Sequence, residues 1–302
     1  MSSDMSSYLE ANARQRIHAL LDAGSFEEFL PPTLRIVSPH LGQLDTPASF
    51  DDGVVIGRGT LLGKNVLAAA QEGGFMGGAV GEVHGAKLVG LLKRAIVDRV
   101  DGVVLMLETG GVRLHEANAG LIAVSEVMRA VLDTRAANIP VIVLVGGANG
   151  CFGGMGIVAC CANEILMSEE GRLAMSGPEV IETTHGVEEF DSRDRALVWR
   201  TTGGKHRYLL RDCNVVLPDD IHAFRQAASD AVARYKHESA ELTLEALESE
   251  HVLLDQRLKD FGDFSEPMDI WSKLGITEPD VLPMLDADAF MQRVGSCRAG
   301  EQ

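Results

Sequence analysis

The chain has 302 residues, 46% of them apolar, which is enough to enclose one large core or two modest ones and too many for a disordered or collagen-like polymer. Its 27 Lys and Arg against 44 Asp and Glu leave a formal charge of −17, the wrong sign for gripping nucleic-acid phosphates. The longest apolar run, 139–145 with Pro140 inside it, falls short of the roughly 18–20 residues of a bilayer span, and the opening residues show no basic-then-apolar leader, so a cytoplasmic protein off the membrane is expected.

Leu9, Ala13, Ile17, Leu20 and Leu21 fall on one helical face, and Gly24 ends the run. Ser25 and Glu28 have capping-box spacing, which predicts a short second helix stopped by Pro31-Pro32. Between Val54 and Ala70, short apolar stretches broken by Gly57, Gly59 and Gly63-Lys64-Asn65 predict a β-meander. A glycine-rich stretch from Gly73 to Gly81 leads into a helix whose inner face carries Val80, Val83, Leu88, Leu91, Leu92, Ala95 and Ile96. Then come a strand over 103–107, a helix over 116–133, a strand over 141–145, a helix from 153 and a strand over 165–167, an α/β alternation. After Pro218 the pattern is helical and acidic, with Glu238, Glu241, Glu245, Glu248 and Glu250 in a run closing near Phe261-Gly262. The chain thus divides into an N-terminal helical segment 1–33, an α/β core 34–215 and a helical C-terminal extension 216–302 of the same domain.

Cysteines 151, 160, 161, 213 and 297 are odd in number and form no Cys-x-x-Cys pair, so neither a disulfide framework nor a zinc ribbon is expected, and no metal. Nucleotide and hydrolase templates fail. Around Gly63-Lys64-Asn65 the P-loop's first glycine is Arg58 and its hydroxyl position is Asn65; His115-Glu116 lacks a second histidine at Ala119; Ser176 lacks the nucleophile-elbow glycines. Gly154-Met155-Gly156-Ile157-Val158-Ala159 fits a dinucleotide fingerprint, but Glu169-Glu170 follows too soon.

Two strand-to-helix junctions remain, each with a glycine pair: Gly110-Gly111 and Gly153-Gly154. Glycine at such a turn permits tight packing, and it also exposes backbone N–H groups to which an oxyanion can be brought close. Arg193, Arg195, Arg200, Lys205, Arg207 and Arg211 form an island of positive charge in this acidic chain, suited either to an anionic partner or to balance by Asp191, Asp194 and Asp212.

The run from Glu108 to Glu116 resembles the S-G-G-A-R-x-Q-E segment of acyl-CoA carboxyltransferase β chains, and the run from Phe75 to Lys87 resembles their F-M-G-G-S-x-G-x-x-x-G-x-K segment. Gly153-Gly154 is similar to their T-T-G-G-V, and Ser176 to Glu182 to their A-G-P-R-V-I-E. Together these motifs cover roughly residues 34 to 215. With Ser38-Pro39-His40-Leu41, Phe50-Asp51-Asp52-Gly53 and the run from Glu188 to Leu197, the chain resembles most the β subunits of malonate decarboxylases within that family. The four-cysteine ribbon of bacterial acetyl-CoA carboxylase β chains is missing.

The resemblance implies a crotonase-like spiral of ββα units. It further implies decarboxylation of a malonyl thioester carried by an acyl carrier protein, on a prosthetic group derived from dephospho-CoA, at a site shared with a γ subunit. Backbone amides of Gly110, Gly111, Gly153 and Gly154 would hold the enolate oxygen; His84, His115 and Glu116 are candidates to protonate its carbon. Phe75, Met76, Gly77, Gly78, Lys87, Arg113, Lys205 and Arg207 are the candidate substrate and carrier contacts. No cofactor is expected to be bound covalently to this chain. Two other readings remain: a carboxyltransferase β subunit passing the carboxyl group to biotin, and a non-catalytic scaffold half of a heteromer.

Overall fold

A computed structural model describes residues 6–237, 242–295 and 297–300. Glu238 and Glu241 of the acidic run, and the first five residues, lie outside them. No helix among the described residues is long and apolar enough to cross a membrane.

Helix α1 (Ala13–Leu20) opens at Asn12, whose side chain accepts from Gln15 N while Gln15 reaches back to the Asn12 N–H, a complete capping box. The second helix expected from Ser25 and Glu28 is instead strand β1 (Glu27–Phe29), antiparallel to β2 (Val54–Leu61). The would-be capping groups have other partners: Ser25 Oγ accepts from Thr60 N at 3.1 Å, and Glu28 takes the Arg14 guanidinium. Pairing with a sheet edge outweighs a local preference worth about 1 kcal/mol.

After α2 (Pro39–Gln43), β2 and β3 (Lys64–Gln71) form the hairpin that the glycines at 57–63 announce, turning through Leu62-Gly63. The spiral then repeats. Helix α3 (Glu82–Asp98) returns to β4 (Gly102–Met106), α4 (Asn118–Ala136) to β5 (Val141–Val145), and α5 (Gly154–Cys160) to β6 (Glu164–Ser168). Three shorter helices, α6 (Pro178–His185), α7 (Arg195–Thr202) and α8 (Gly204–Leu209), precede β7 (Val215–Leu217). The seven strands lie side by side in sequence order, antiparallel as far as β3 and parallel from β3 to β7.

Beyond the main sheet, each turn adds one residue or two to a second stack of parallel bridges: Val80 with Val112, Thr109 with Cys151, and Cys151 with Leu173. This is the crotonase-like ββα spiral that the resemblance implied.

Both faces of the sheet are covered, so its strands read as unbroken apolar runs. One face meets α1 and α9 (Ile221–His237) through Ile17, Leu20, Phe224, Ala228 and Val232; the other meets α3, α4 and α5 through Leu88, Leu92, Val127, Val131 and Met155. Of the remaining helices, α11 (Pro267–Lys273) and α12 (Ala287–Val294) join this second core by Trp271 and Phe290, whereas α10 (Leu244–Phe261) has no buried residue.

Candidate active site

Three glycine junctions from successive turns meet at one end of the spiral. After β3 the chain passes through Met76, Gly77 and Gly78, all with positive φ (50, 64 and 71°). The Gly110 N–H donates to the Gly77 carbonyl at 2.8 Å, and a Cβ on Gly78 would overlap the Glu108 carbonyl. Next, Val80 N donates to Gly111 O (3.0 Å) and Arg113 N to Val80 O (2.9 Å), locking the second junction to the first. A Cβ on Gly153 would lie 3.0 Å from the Gly111 Cα, so the second and third junctions are in van der Waals contact.

Three of the four candidate amides are used by the fold. Gly110 N is bound to Gly77, Gly111 N donates to Thr109 Oγ1 (3.0 Å) and Gly153 N to Met175 O (2.9 Å). Gly154 N, at the first position of α5, has no acceptor among the described residues, and neither has Val112 N, one residue beyond the second pair. Gly111 has φ of +137°, a backbone conformation that side-chain-bearing residues rarely adopt.

Beneath the junctions lies a buried polar network. The Arg113 guanidinium, without solvent exposure, donates to both Asp52 oxygens (3.2 and 3.0 Å), to Glu116 Oε1 (2.8 Å) and to the Ala79 carbonyl (3.3 Å). Burial raises the Asp52 carboxyl pKa despite that pairing. For Glu116 burial acts the same way, but the Glu82 N–H and Arg113 hold its pKa below the ordinary range. Lys87 Nζ donates to the Asp51 carbonyl at 2.7 Å and to that of Val54, and burial lowers its pKa.

His84 is fully enclosed. Its Nδ1 faces the Asp52 carbonyl at 3.1 Å and must carry the proton, so Nε2 accepts from Gln71 Nε2 at 3.0 Å. Gln71 Oε1 in turn accepts from Glu108 N (3.0 Å), and the Glu108 carboxylate pairs with Arg16 of α1.

Of the three candidates for protonation, His84 and Glu116 are therefore enclosed with their polar atoms committed, and His115 alone is exposed. Lys87 and Arg113 are likewise held inside. Phe75 lies over the Arg113 guanidinium, 5.3 Å from its carbon. Sequence reasoning missed Asp52, Gln71, Glu108 and Arg16 as members of this framework. Only Asp52 and Glu108 lay inside the quoted motifs, and nothing local distinguishes a buried carboxylate there from a solvated one.

The positive island is paired internally only in part. Arg207 donates to Asp212 and the Thr201 carbonyl (both 3.0 Å), and Lys205 to the carbonyls of Pro283 (3.2 Å) and Leu285. Arg195 projects outward, 77% exposed, over one side of Trp199, whose ring also contacts Arg172. Arg195 and Trp199, with Arg200, Lys205, Trp271 and the carboxylates Glu169 and Glu170, line a cavity of about 290 Å³. Among the described residues no cluster of His, Cys, Asp or Glu has the geometry of a metal site.

The spiral and its stacked glycine junctions define a crotonase-like fold. The chain belongs to the carboxyl transferase domain family, whose model matches residues 10–213. It is 40% identical to the malonyl-S-ACP:biotin-protein carboxyltransferase MADC of Malonomonas rubra over 97% of both chains. It is 31% identical to the acetyl-coenzyme A carboxylase carboxyl transferase subunit beta of Fusobacterium nucleatum over 61% of this chain and 62% of that one. Among solved structures it matches a chain of a Pseudomonas malonate decarboxylase hetero-tetramer in complex with malonate, with TM-score 0.74 and 39% identity over 85% of this chain and 91% of that one.

Burial sets how the fold responds to acid. His84 is held to a pKa of about 3 by burial, reinforced by Arg113 and Lys87, and His206, which accepts from Trp271 Nε1 at 3.1 Å, is held to about 3 by burial with Arg207 and Arg257. An unfolded histidine protonates near 6.5. Between those values the unfolded chain binds two protons that the folded chain does not, so this stability is complete above about pH 6.5 and falls as pH drops towards 3, by about 1.4 kcal/mol per unit per histidine. Urea titrations between about pH 6 and pH 5 should show this slope, and His206→Gln should remove about half of it.

Proposed function

We propose that this chain is the β subunit of a malonate decarboxylase. In this reading it releases CO₂ from a malonyl thioester borne by an acyl carrier protein, at a site completed by a γ subunit. The observation that carries the reading is the pair of open N–H groups, Gly154 and Val112, on two stacked junctions of a fold whose relatives act on malonyl groups.

Breaking the bond between the carboxylate and the malonyl α-carbon leaves the electron pair on that carbon, delocalised onto the thioester oxygen. Fixed N–H donors pointing at that oxygen lower the barrier, each by about 3–4 kcal/mol. Gly154 supplies one and Val112 the other; Gly110, Gly111 and Gly153 shape the wall through the hydrogen bonds that hold the junctions together. The carbon is then protonated, and His115 is the one candidate side chain with access to solvent. His84, Glu116, Lys87 and Arg113 act as framework beneath the loops.

A γ subunit would cover apolar side chains around the junctions: Leu114, 85% exposed, with Leu121, Ile122, Met175 and Val180. The carrier's prosthetic group, derived from dephospho-CoA, bears phosphates that suit the guanidinium groups of Arg195 and Arg200 in a cavity that Glu169 and Glu170 also line. Arg195→Glu should raise KM for carrier-bound malonyl several-fold while leaving a short malonyl thioester without phosphates unaffected. Equal effects on both substrates would count against docking there.

Position 154 gives a clean test of the oxyanion role. Proline is compatible with the first position of a helix and deletes the N–H; alanine keeps the N–H and adds the same Cβ, which meets Val124 Cγ1 at 2.6 Å in both variants. In a Val124→Ala background, to relieve that contact, Gly154→Pro should lose at least about 10² in kcat relative to Gly154→Ala, measured as CO₂ release by the assembled enzyme. Equal rates would remove Gly154 from the site. Position 111 offers no such pair, since its φ of +137° strains alanine and proline alike.

The 40% identity to a biotin-protein carboxyltransferase favours a second reading, in which the carboxyl group passes to biotin on a partner. Avidin added to the assembled enzyme distinguishes the two: turnover is expected to persist, and its abolition would establish the biotin route.

A further inference from the structure

Helix α10 (Leu244–Phe261) holds to the body of the protein along one side only. Arg257 donates to Asp212 Oδ1 at 2.8 Å, Leu253 lies against Gly300, and Lys273 reaches the Asp260 carbonyl. Its other side carries Leu244, Leu247, His251, Leu254 and Leu258, spaced alternately by three and four residues, the period of a coiled-coil seam. The four leucines are 66, 59, 46 and 70% exposed. A solvated helix has no use for such a row, because each exposed leucine forgoes burial. The helix also lies outside residues 10–213, the part that matches the family model, so the chemistry of the glycine junctions does not account for it.

The residues flanking the seam identify the occupant. Numbering the leucines as a and d positions puts Glu248 and Asp255 at e, and Glu250 and Arg257 at g. Arg257 is already paired with Asp212 and Asp255 with Lys259, which leaves Glu248 at e and Glu250 at g as the charges of the two borders, both acidic. A second copy of α10 would bring no basic border residue other than Arg257, which is committed to Asp212, and this disfavours self-association. Charge complementarity calls for lysine or arginine beside an apolar ridge.

We infer that the outer face of α10 is a docking surface for an amphipathic helix of a partner protein, with leucine-like residues along its ridge and basic residues on both borders. This is helix-on-helix recognition, with the seam giving affinity and the acidic borders giving choice of partner. It does not depend on the catalytic reading, since what is measured is binding and not turnover.

The test uses the full-length chain and two fluorescent synthetic helices of the same length as α10. Both carry leucines at a and d; one has lysines at e and g, the other glutamates. The lysine helix should bind at least tenfold more tightly than the glutamate helix, and added salt should narrow the difference. A Leu247→Asp/Leu258→Asp variant, both positions exposed, should keep its melting temperature and lose at least tenfold in affinity for the lysine helix. Equal binding of the two helices overturns the inference, as does a lysine helix that binds the double variant unchanged, since that is general attraction to an acidic protein. Dimerisation of the chain alone that disappears in the double variant would assign the seam to a second copy and overturn it as well.

Discussion

A single guanidinium, that of Arg113, fixes the geometry on which the candidate site depends. It is enclosed between Asp52, which follows the first loop region, and Glu116, which precedes α4, and it also holds the Ala79 carbonyl of the glycine-rich turn. Three segments far apart in sequence thereby share one cation. Burying these charges is costly, and the pairing offsets the cost only because nearly every lone pair is matched: Asp52 also accepts from Ser38 N and His84 N, and Glu116 from Glu82 N. Removing one partner leaves the others charged and unpaired. What the arrangement provides is register, because each loop can satisfy the cation in one position only.

From this hub a line of directional hydrogen bonds runs to the opposite face of the sheet. Asp52 fixes the proton of His84 on Nδ1, which makes Nε2 an acceptor, which orients the Gln71 amide, which presents its oxygen to the backbone of Glu108. Glu108 then pairs with Arg16, whose guanidinium also lies 4.6 Å from the Tyr8 ring centre. Each donor and acceptor is dictated by its predecessor. Helix α1 is thus tied to the junction after β4, with a neutral histidine in the middle that stays neutral because burial forbids its charge.

Much of the fold was legible in the sequence because the sheet is covered on both sides. Buried parallel strands read as uninterrupted apolar runs, and 141–145 coincides with β5 to the residue. Strand β1 was not legible, since Ser25 and Glu28 satisfy a local helix signal whose partners turn out to be Thr60 and Arg14. The three-residue β7, closed by Pro218, was too short to register at all. At the site, the glycine pairs were visible, but the identity of the open N–H groups was not. That depends on which amide a neighbouring turn consumes, as Gly77 does for Gly110, and no local pattern encodes it. Arg113 and Lys87 read as ligand contacts because, Glu116 apart, the groups that enclose them, Asp52 and the carbonyls of Asp51 and Val54, lie more than 30 residues away.

The order of the strands has a consequence for how the chain is assembled. Because the strands stand in sequence order, each new one pairs with an edge that already exists, and the sheet can grow in the direction of synthesis. Helix α1 is the exception. Part of its apolar face rests on β2 and β3, but the rest is covered by α9, and the seam between the two helices is sealed by Ser7 and Leu9 on Asp219, some 210 residues downstream, and by Ile221 N on the Ser6 carbonyl. Helix α1, which precedes the whole sheet in the chain, is therefore among the last elements to be covered. Until α9 arrives, the end of the relay that starts at Arg113 rests on a helix with one bare side.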